Sequence, residues 1–236
     1  MMNTEVERLA ELLSKHHKSE EQQLRIEGVE LDDITLREFD ERVRAVYGHV
    51  CGIDEAGRGP MAGAVYAAAV ILDPEKPING LNDSKKLTEK KREKLYDEII
   101  ANAKAYCVAF ATVEEIEATD ILSADLLAMK RAYDGMGEKA GMIIVDGDVL
   151  PDIDGEIKCL KKGDARSEAV AAASILAKVS RDRYMKEQAL LYPQYGFEKH
   201  KGYGTKAHID AVDAYGLCPI HRASFFRKHF EKNEQK

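Results

Sequence analysis

Cysteine is scarce and scattered: positions 51, 107, 159 and 218 are each more than fifty residues from the next. That spacing offers no CxxC zinc pattern and no dense disulfide framework, so the four read as buried free thiols. No apolar run approaches the roughly 20 residues that span a bilayer. The opening stretch MMNTEVERLAELLSKHHKSEEQQ is too acidic and polar for a signal or transit peptide. These absences are those of a soluble cytoplasmic protein without a membrane partner. Internal repeats and low-complexity tracts are also missing. With 236 residues, 44% hydrophobic and 33% charged, the chain suits one large domain, or one domain with an appended module.

The net charge of −7 argues weakly against a protein that coats nucleic acid, but it hides a gradient. Residues 1–46 carry 7 Lys/Arg against 12 Asp/Glu, whereas residues 199–236 carry 8 against 4. A basic end suits phosphates and an acidic middle suits divalent metal.

Texture divides the chain into an N-terminal helical extension over 1–46, a core over 47–192 and a helical C-terminal part over 193–236. In the first, VERLAELLSKHH and LREFDERVRAV read as short helices, which gives the segment the character of an appendage. The core begins with two adjacent strands, YGHVCGID and AVYAAAVIL, joined by the glycine-rich EAGRGPMAG. TEKKREKLYDEIIANA has helical spacing, AYCVAFATV alternates as a strand, and a helix is expected from Ile121 to Tyr133. GMIIVDG reads as a buried strand opening into a site, and EIKCL as a fifth strand. DARSEAVAAASILAKVSRDRYMKEQALL is the longest helical signal, with Asp164 at its expected N-cap.

Asp54-Glu55, Asp146 and Asp164 each border an apolar segment instead of lying on a polar face. Carboxylates gathered there without His or Cys suit hard Mg²⁺ or Mn²⁺, which in pairs activate water for phosphoryl displacement. Neighbours on a strand point to opposite faces, so Asp54 and Glu55 share one site only if the strand ends or bulges. The glycines at 57, 59 and 63 are spaced GxGxxxG, precede a strand and lack GK[ST], which makes a dinucleotide or P-loop reading weak. DGDVLPDIDGE fails the EF-hand template, so Asp148, Asp152 and Asp154 read as turn residues. Asp182 is separated from Asp164 by roughly 27 Å of continuous helix, too far for one site. Tyr203, between two glycines in HKGYGTKAH, suits stacking on a base or sugar, or packing under its own loop. The late histidines lack HExxH spacing and read as surface or packing residues.

In order and spacing, GIDEAGRGPMAGAV, DSKKL, IIVDG, KGDARSEAVAAASILAKVSRD and HKGYGTKAH…GLCPIHRASF resemble the bacterial ribonuclease HII family, from about Tyr47 to Phe226. The resemblance implies an α/β ribonuclease H-like fold: a mixed five-stranded sheet flanked by helices, then a helical C-terminal part. It implies metal ligation and catalysis by Asp54, Glu55, Asp146 and Asp164 with two Mg²⁺ or Mn²⁺ ions. It further implies recognition of the ribonucleotide 2′-OH by Gly57, Arg58 and Gly59, and a substrate-sensing Tyr203. Lys85 of DSKKL is a candidate phosphate contact. The implied activity is cleavage of RNA in RNA/DNA hybrids and nicking of DNA 5′ to embedded ribonucleotides, giving 3′-hydroxyl and 5′-phosphate ends. The expected state is a monomer, with the N-terminal extension offering a docking element for a protein partner. One departure is Thr119-Asp120, where Leu-Asn is expected, adding a charge near DNA or metal. A junction resolvase on the same fold and a non-catalytic hybrid-binding module are the competing readings.

Overall fold

The computed structural model describes residues 23–234, and side chains as far as residue 231. The elements run α1 (Leu36–Tyr47), β1 (Val50–Ala56), β2 (Val65–Ile71), α2 (Glu89–Asn102), β3 (Ala105–Ala111), α3 (Val113–Ala118) and α4 (Ile121–Met136), then β4 (Met142–Asp146), β5 (Ile157–Leu160), α5 (Glu168–Leu191), α6 (Phe197–His200), α7 (Lys206–Tyr215) and α8 (Ala223–Glu234). The strands form one sheet in the order β3-β2-β1-β4-β5. β1 pairs antiparallel with β2 and parallel with β4, so the sheet is mixed as expected.

Strand alternation decides which residues meet which helix. Cys51, Ile53, Ala67, Ala69, Ile143 and Val145 pack against α4 on one face. On the other, Ala68 and Val70 meet α2 and the alanine-rich start of α5. Small residues let α5 lie almost on the sheet. A Cβ on Gly52 would sit 2.2 Å from Ala169 C and Val170 N, inside backbone that cannot yield. Gly52→Ala is therefore expected to destabilise by about 1–3 kcal/mol or more, as overpacking does, read as a lower denaturant midpoint.

Residues 23–47 are not a loose appendage. Leu24, Leu31, Phe39 and Val43 close over Val50, Met142, Ile144 and Leu160, and Gln23 forms a bridge to Cys159 at the sheet edge. The second expected N-terminal helix is α1, begun by a capping box between Thr35 and Glu38; the first, VERLAELLSKHH, lies outside the described residues. Cys51 and Cys159 are buried, whereas Cys107 and Cys218 are only half-buried; all four are free thiols.

One sequence-based placement changes. Asp164 does not cap the long helix: Ser167 does, accepting from Val170 N, while Asp164 sits in the preceding 3-10 turn, Gly163–Ala165. Asp120, the departure noted above, is the N-cap of α4, accepting from the N–H groups of Leu122 and Ser123. The extra carboxylate thus serves a helix start. Among the late histidines, His208 and His221 are buried, stacked at 5.2 Å and joined through Nε2 atoms 3.0 Å apart, so they pack. Burial lowers both pKa values, that of His221 to about 4, and keeps them neutral.

Candidate active site

Asp54 and Asp146 converge because β1 and β4 are parallel neighbours and Ile53 pairs with Val145. The next residue on each strand turns to the α5 face, where Asp164 arrives from the 3-10 turn before that helix. Carboxylate oxygens of Asp54, Asp146 and Asp164 all lie within 4.8 Å of one another. Asp54 and Asp164 are buried and Asp146 is half-buried. The positions are fixed by backbone contacts: Gly163 N–H donates to Asp146 Oδ1 at 2.6 Å, and Glu55 N–H to Asp54 Oδ1 at 2.7 Å.

Crowding like charges in a buried place raises their pKa values. Burial, then the negative charges of Glu55 and Asp146, hold Asp54 well above the usual carboxylate range, opposed by a hydrogen bond from Ser174. Burial also raises Asp146, helped by Glu55 and Asp83 and opposed by the Gly163 N–H and Lys85. Asp164 is pushed up to about 6 by burial, Asp146 and Asp83. Burial works against the charge of Lys85, but Asp164, Asp54, Asp83 and Asp146 outweigh it and raise its pKa. Lys85, in the 3-10 turn Ser84–Lys86, lines two adjoining cavities of about 200 and 570 Å³.

Glu55 is not part of the group within 4.8 Å. It stands outside that tight cluster but beside it, on β1 opposite Ala67, and its negative charge raises Asp54 and Asp146. It lines the smaller cavity and reaches Arg58 Nη1 at 3.9 Å. The same cavity is lined by Gly57, Arg58, Gly59 and Tyr203, and the Tyr203 ring is 47% exposed, available to stack on a ligand.

Two buried arginines hold this rim, and the sequence reading passed over both. Arg222 donates through Nε to Gly63 O, through Nη1 to Arg58 O and Pro60 O, and through Nη2 to Gly57 O, at 2.7–3.1 Å. Arg181 donates to the carbonyls of Ala64, Lys201 and Ala62, tying the glycine loop to the segment before Tyr203. Gly57 has φ +108°, and a Cβ there would meet Arg181 Nε at 2.2 Å, which explains the glycine. Asp83, Ser174 and Asp125 were also passed over: Asp83 neighbours the carboxylates, Ser174 bonds Asp54, and Asp125 lies 3.5 Å from Arg58 Nε. A serine in an alanine-rich helix was the visible signal for Ser174. Asp182, as expected, stays apart and pairs with Lys178 at 2.6 Å.

The sequence matches the family described as Ribonuclease HII over residues 51–233. The chain belongs to the ribonuclease HII family. A ribonuclease HII from Albidiferax ferrireducens is 54% identical over 180 residues, covering 76% of this chain and 87% of the relative. One from Caldicellulosiruptor bescii is 51% identical over 197 residues, covering 83% and 96%. The crystal structure of the ribonuclease H2 from Pyrococcus horikoshii is similar with a TM-score of 0.67 at 30% identity, covering 80% of this chain and all of that one. Membership makes the chain a nuclease, a hydrolase on a ribonuclease H-like fold. Among the described residues no helix is long and apolar enough to cross a membrane.

Proposed function

We propose that this ribonuclease HII, which cleaves the RNA strand of RNA/DNA hybrids, also nicks duplex DNA on the 5′ side of an embedded ribonucleotide, leaving 3′-hydroxyl and 5′-phosphate ends. The observation that carries the reading is the convergence of Asp54, Asp146 and Asp164 beside a cavity rimmed by Gly57, Arg58, Gly59 and Tyr203. The donor set fits hard divalent cations: all oxygen, largely buried, with a mutual repulsion that a cation relieves. Asp54, Asp146 and Asp164, with Glu55 at the cavity wall, would hold two Mg²⁺ or Mn²⁺ ions, which supply water activation and stabilisation of the leaving oxygen when bound.

The protein's own groups then have defined tasks. Gly57 and Gly59 leave room for a ribose, and Arg58 offers guanidinium N–H donors to its 2′-OH. Tyr203 stacks on the sugar beyond the junction, and Lys85, between the two cavities, binds a phosphate. In this reading residues 47–192 form the catalytic core and 193–236 the substrate-binding part, and the enzyme works as a monomer in the cytoplasm.

The test is end mapping of a labelled duplex carrying one ribonucleotide, beside an all-DNA control, in Mg²⁺ and separately in Mn²⁺. A metal-dependent nick immediately 5′ to the ribonucleotide, absent from the control and lost in Asp164→Asn, is expected. Equal cutting of the control would remove the proposed 2′-OH recognition, and hybrid cleavage without nicking at a single ribonucleotide would remove the repair activity.

A further inference from the structure

We propose that Asp125, on α4, is a positioning residue that fixes the Arg58 guanidinium where the ribonucleotide is read. The inference rests on the proposed role of Arg58 and adds a residue from the opposite side of the sheet. Asp125 is 1% exposed, among Ala124, Leu126, Ala128 and Met129, which pack into the hydrophobic core. Its Oδ1 is buried without a hydrogen-bond partner, and its Oδ2 lies 3.5 Å from Arg58 Nε.

A half-satisfied buried carboxylate works against stability, since an apolar residue of similar volume would fold at least as well. Burial and the nearby Glu55 raise the Asp125 carboxyl well above the usual range and Arg58 pulls it back. What Asp125 supplies is thus a fixed acidic partner for a cation that is otherwise mobile. Arg58 is 47% exposed and follows a glycine, so neither packing nor backbone restricts its long side chain. Asp125 at 3.5 Å from Nε and Glu55 at 3.9 Å from Nη1 contact the guanidinium through two different nitrogens. The remaining N–H groups are left for the cavity. Glu55 thus stands between this pair and the acidic cluster, lining the same cavity as Asp54 and Asp146.

The experiment is a double-mutant cycle between Asp125→Asn and Arg58→Ala, read as kcat/KM on the single-ribonucleotide duplex and as thermal midpoint. Asp125→Asn is nearly isosteric and removes a buried carboxyl whose ionisation burial opposes, so its midpoint is expected to hold or rise. Its kcat/KM is expected to fall about ten- to a hundredfold, the scale of a misplaced contact group. In the Arg58→Ala background the second substitution should cause no further loss. Undiminished kcat/KM in Asp125→Asn overturns the proposal, as does a loss that multiplies with that of Arg58→Ala. If Arg58→Ala itself leaves kcat/KM unchanged, the role of Arg58 fails, and the positioning role with it. Asp125→Ser runs through the same cycle, so a folding defect in the asparagine variant does not decide the outcome.

Discussion

Asp54→Asn is expected to abolish metal-dependent cleavage while making the metal-free protein more stable. Asp54 is 4% exposed and shares its site with Asp146 and Asp164, all within 4.8 Å. Removing one carboxylate from this set leaves too little charge to hold divalent cations, and the loss should exceed about a thousandfold, or roughly 4 kcal/mol in the barrier. The same substitution relieves the repulsion that raises these acids. In the metal-free wild type the folded chain holds protons that the unfolded chain has released, because Asp54 is raised well above its usual range and Asp164 to about 6. Stability therefore falls as pH climbs from the ordinary carboxylate range near 4 through about 6. Asp54→Asn should flatten that fall, raise the midpoint at pH 8, and lose the stabilisation that added Mg²⁺ or Mn²⁺ gives the wild type. Melting curves across pH, with and without metal, check all three. Substantial metal-dependent nicking by the variant would refute the role of Asp54.

The parts of this molecule that were legible in the sequence are those dictated by short-range periodicity. The apolar runs before Asp54 and Asp146 announced strands leading to carboxylates, and both form side by side, β4 ending at Asp146 and β1 running on to Ala56. The helix from Ile121 and the lysine-rich helix from Glu89 follow from 3.6-residue spacing and good caps. What stayed hidden depends on partners far away in the chain. Nothing local shows that Phe39 and Val43 of an acidic, polar segment will cover Met142 and Ile144, so the N-terminal stretch looked detachable. Asp164 looked like a helix cap because Ser167, the actual cap, stands only three residues on. Asp125 was invisible for a simple reason: an aspartate within an apolar helical face has no sequence signature beyond being out of place. Glu55 is the instructive case: the period-2 rule lets it share a site with Asp54 only near a strand end, and β1 stops one residue on, at Ala56, with Glu55 lining the same cavity as Asp54 and Asp146.

Arg222→Met is expected to lower stability by about 3–5 kcal/mol and, where the variant is still folded, to lower cleavage further than the single-residue change suggests. Arg222 is fully buried, yet no carboxylate lies within ion-pair distance of it among the described residues. Its charge is met by the carbonyls of Gly57, Arg58, Pro60 and Gly63, with Phe225 under the guanidinium at 5.2 Å. Those carbonyls belong to the loop that carries Gly57, Arg58 and Gly59, so the arginine is the post around which this glycine loop is wound. Methionine fills much of the volume but leaves four acceptors, two of them buried, short of a donor. Lysine keeps the charge, yet its compact ammonium cannot spread donors over the planar fork that reaches Gly57 and Gly63 together, so Arg222→Lys should recover little. Arg181→Met removes three carbonyl contacts and frees the loop from Lys201, so it should shift the denaturation midpoint in the same direction. The readout that separates scaffold from site is selectivity. With Arg222 gone, cleavage of the single-ribonucleotide duplex should fall more than metal binding at Asp54, Asp146 and Asp164, followed through thermal stabilisation by Mn²⁺. Equal losses of both would mean that Arg222 supports the whole sheet end and not the glycine loop in particular.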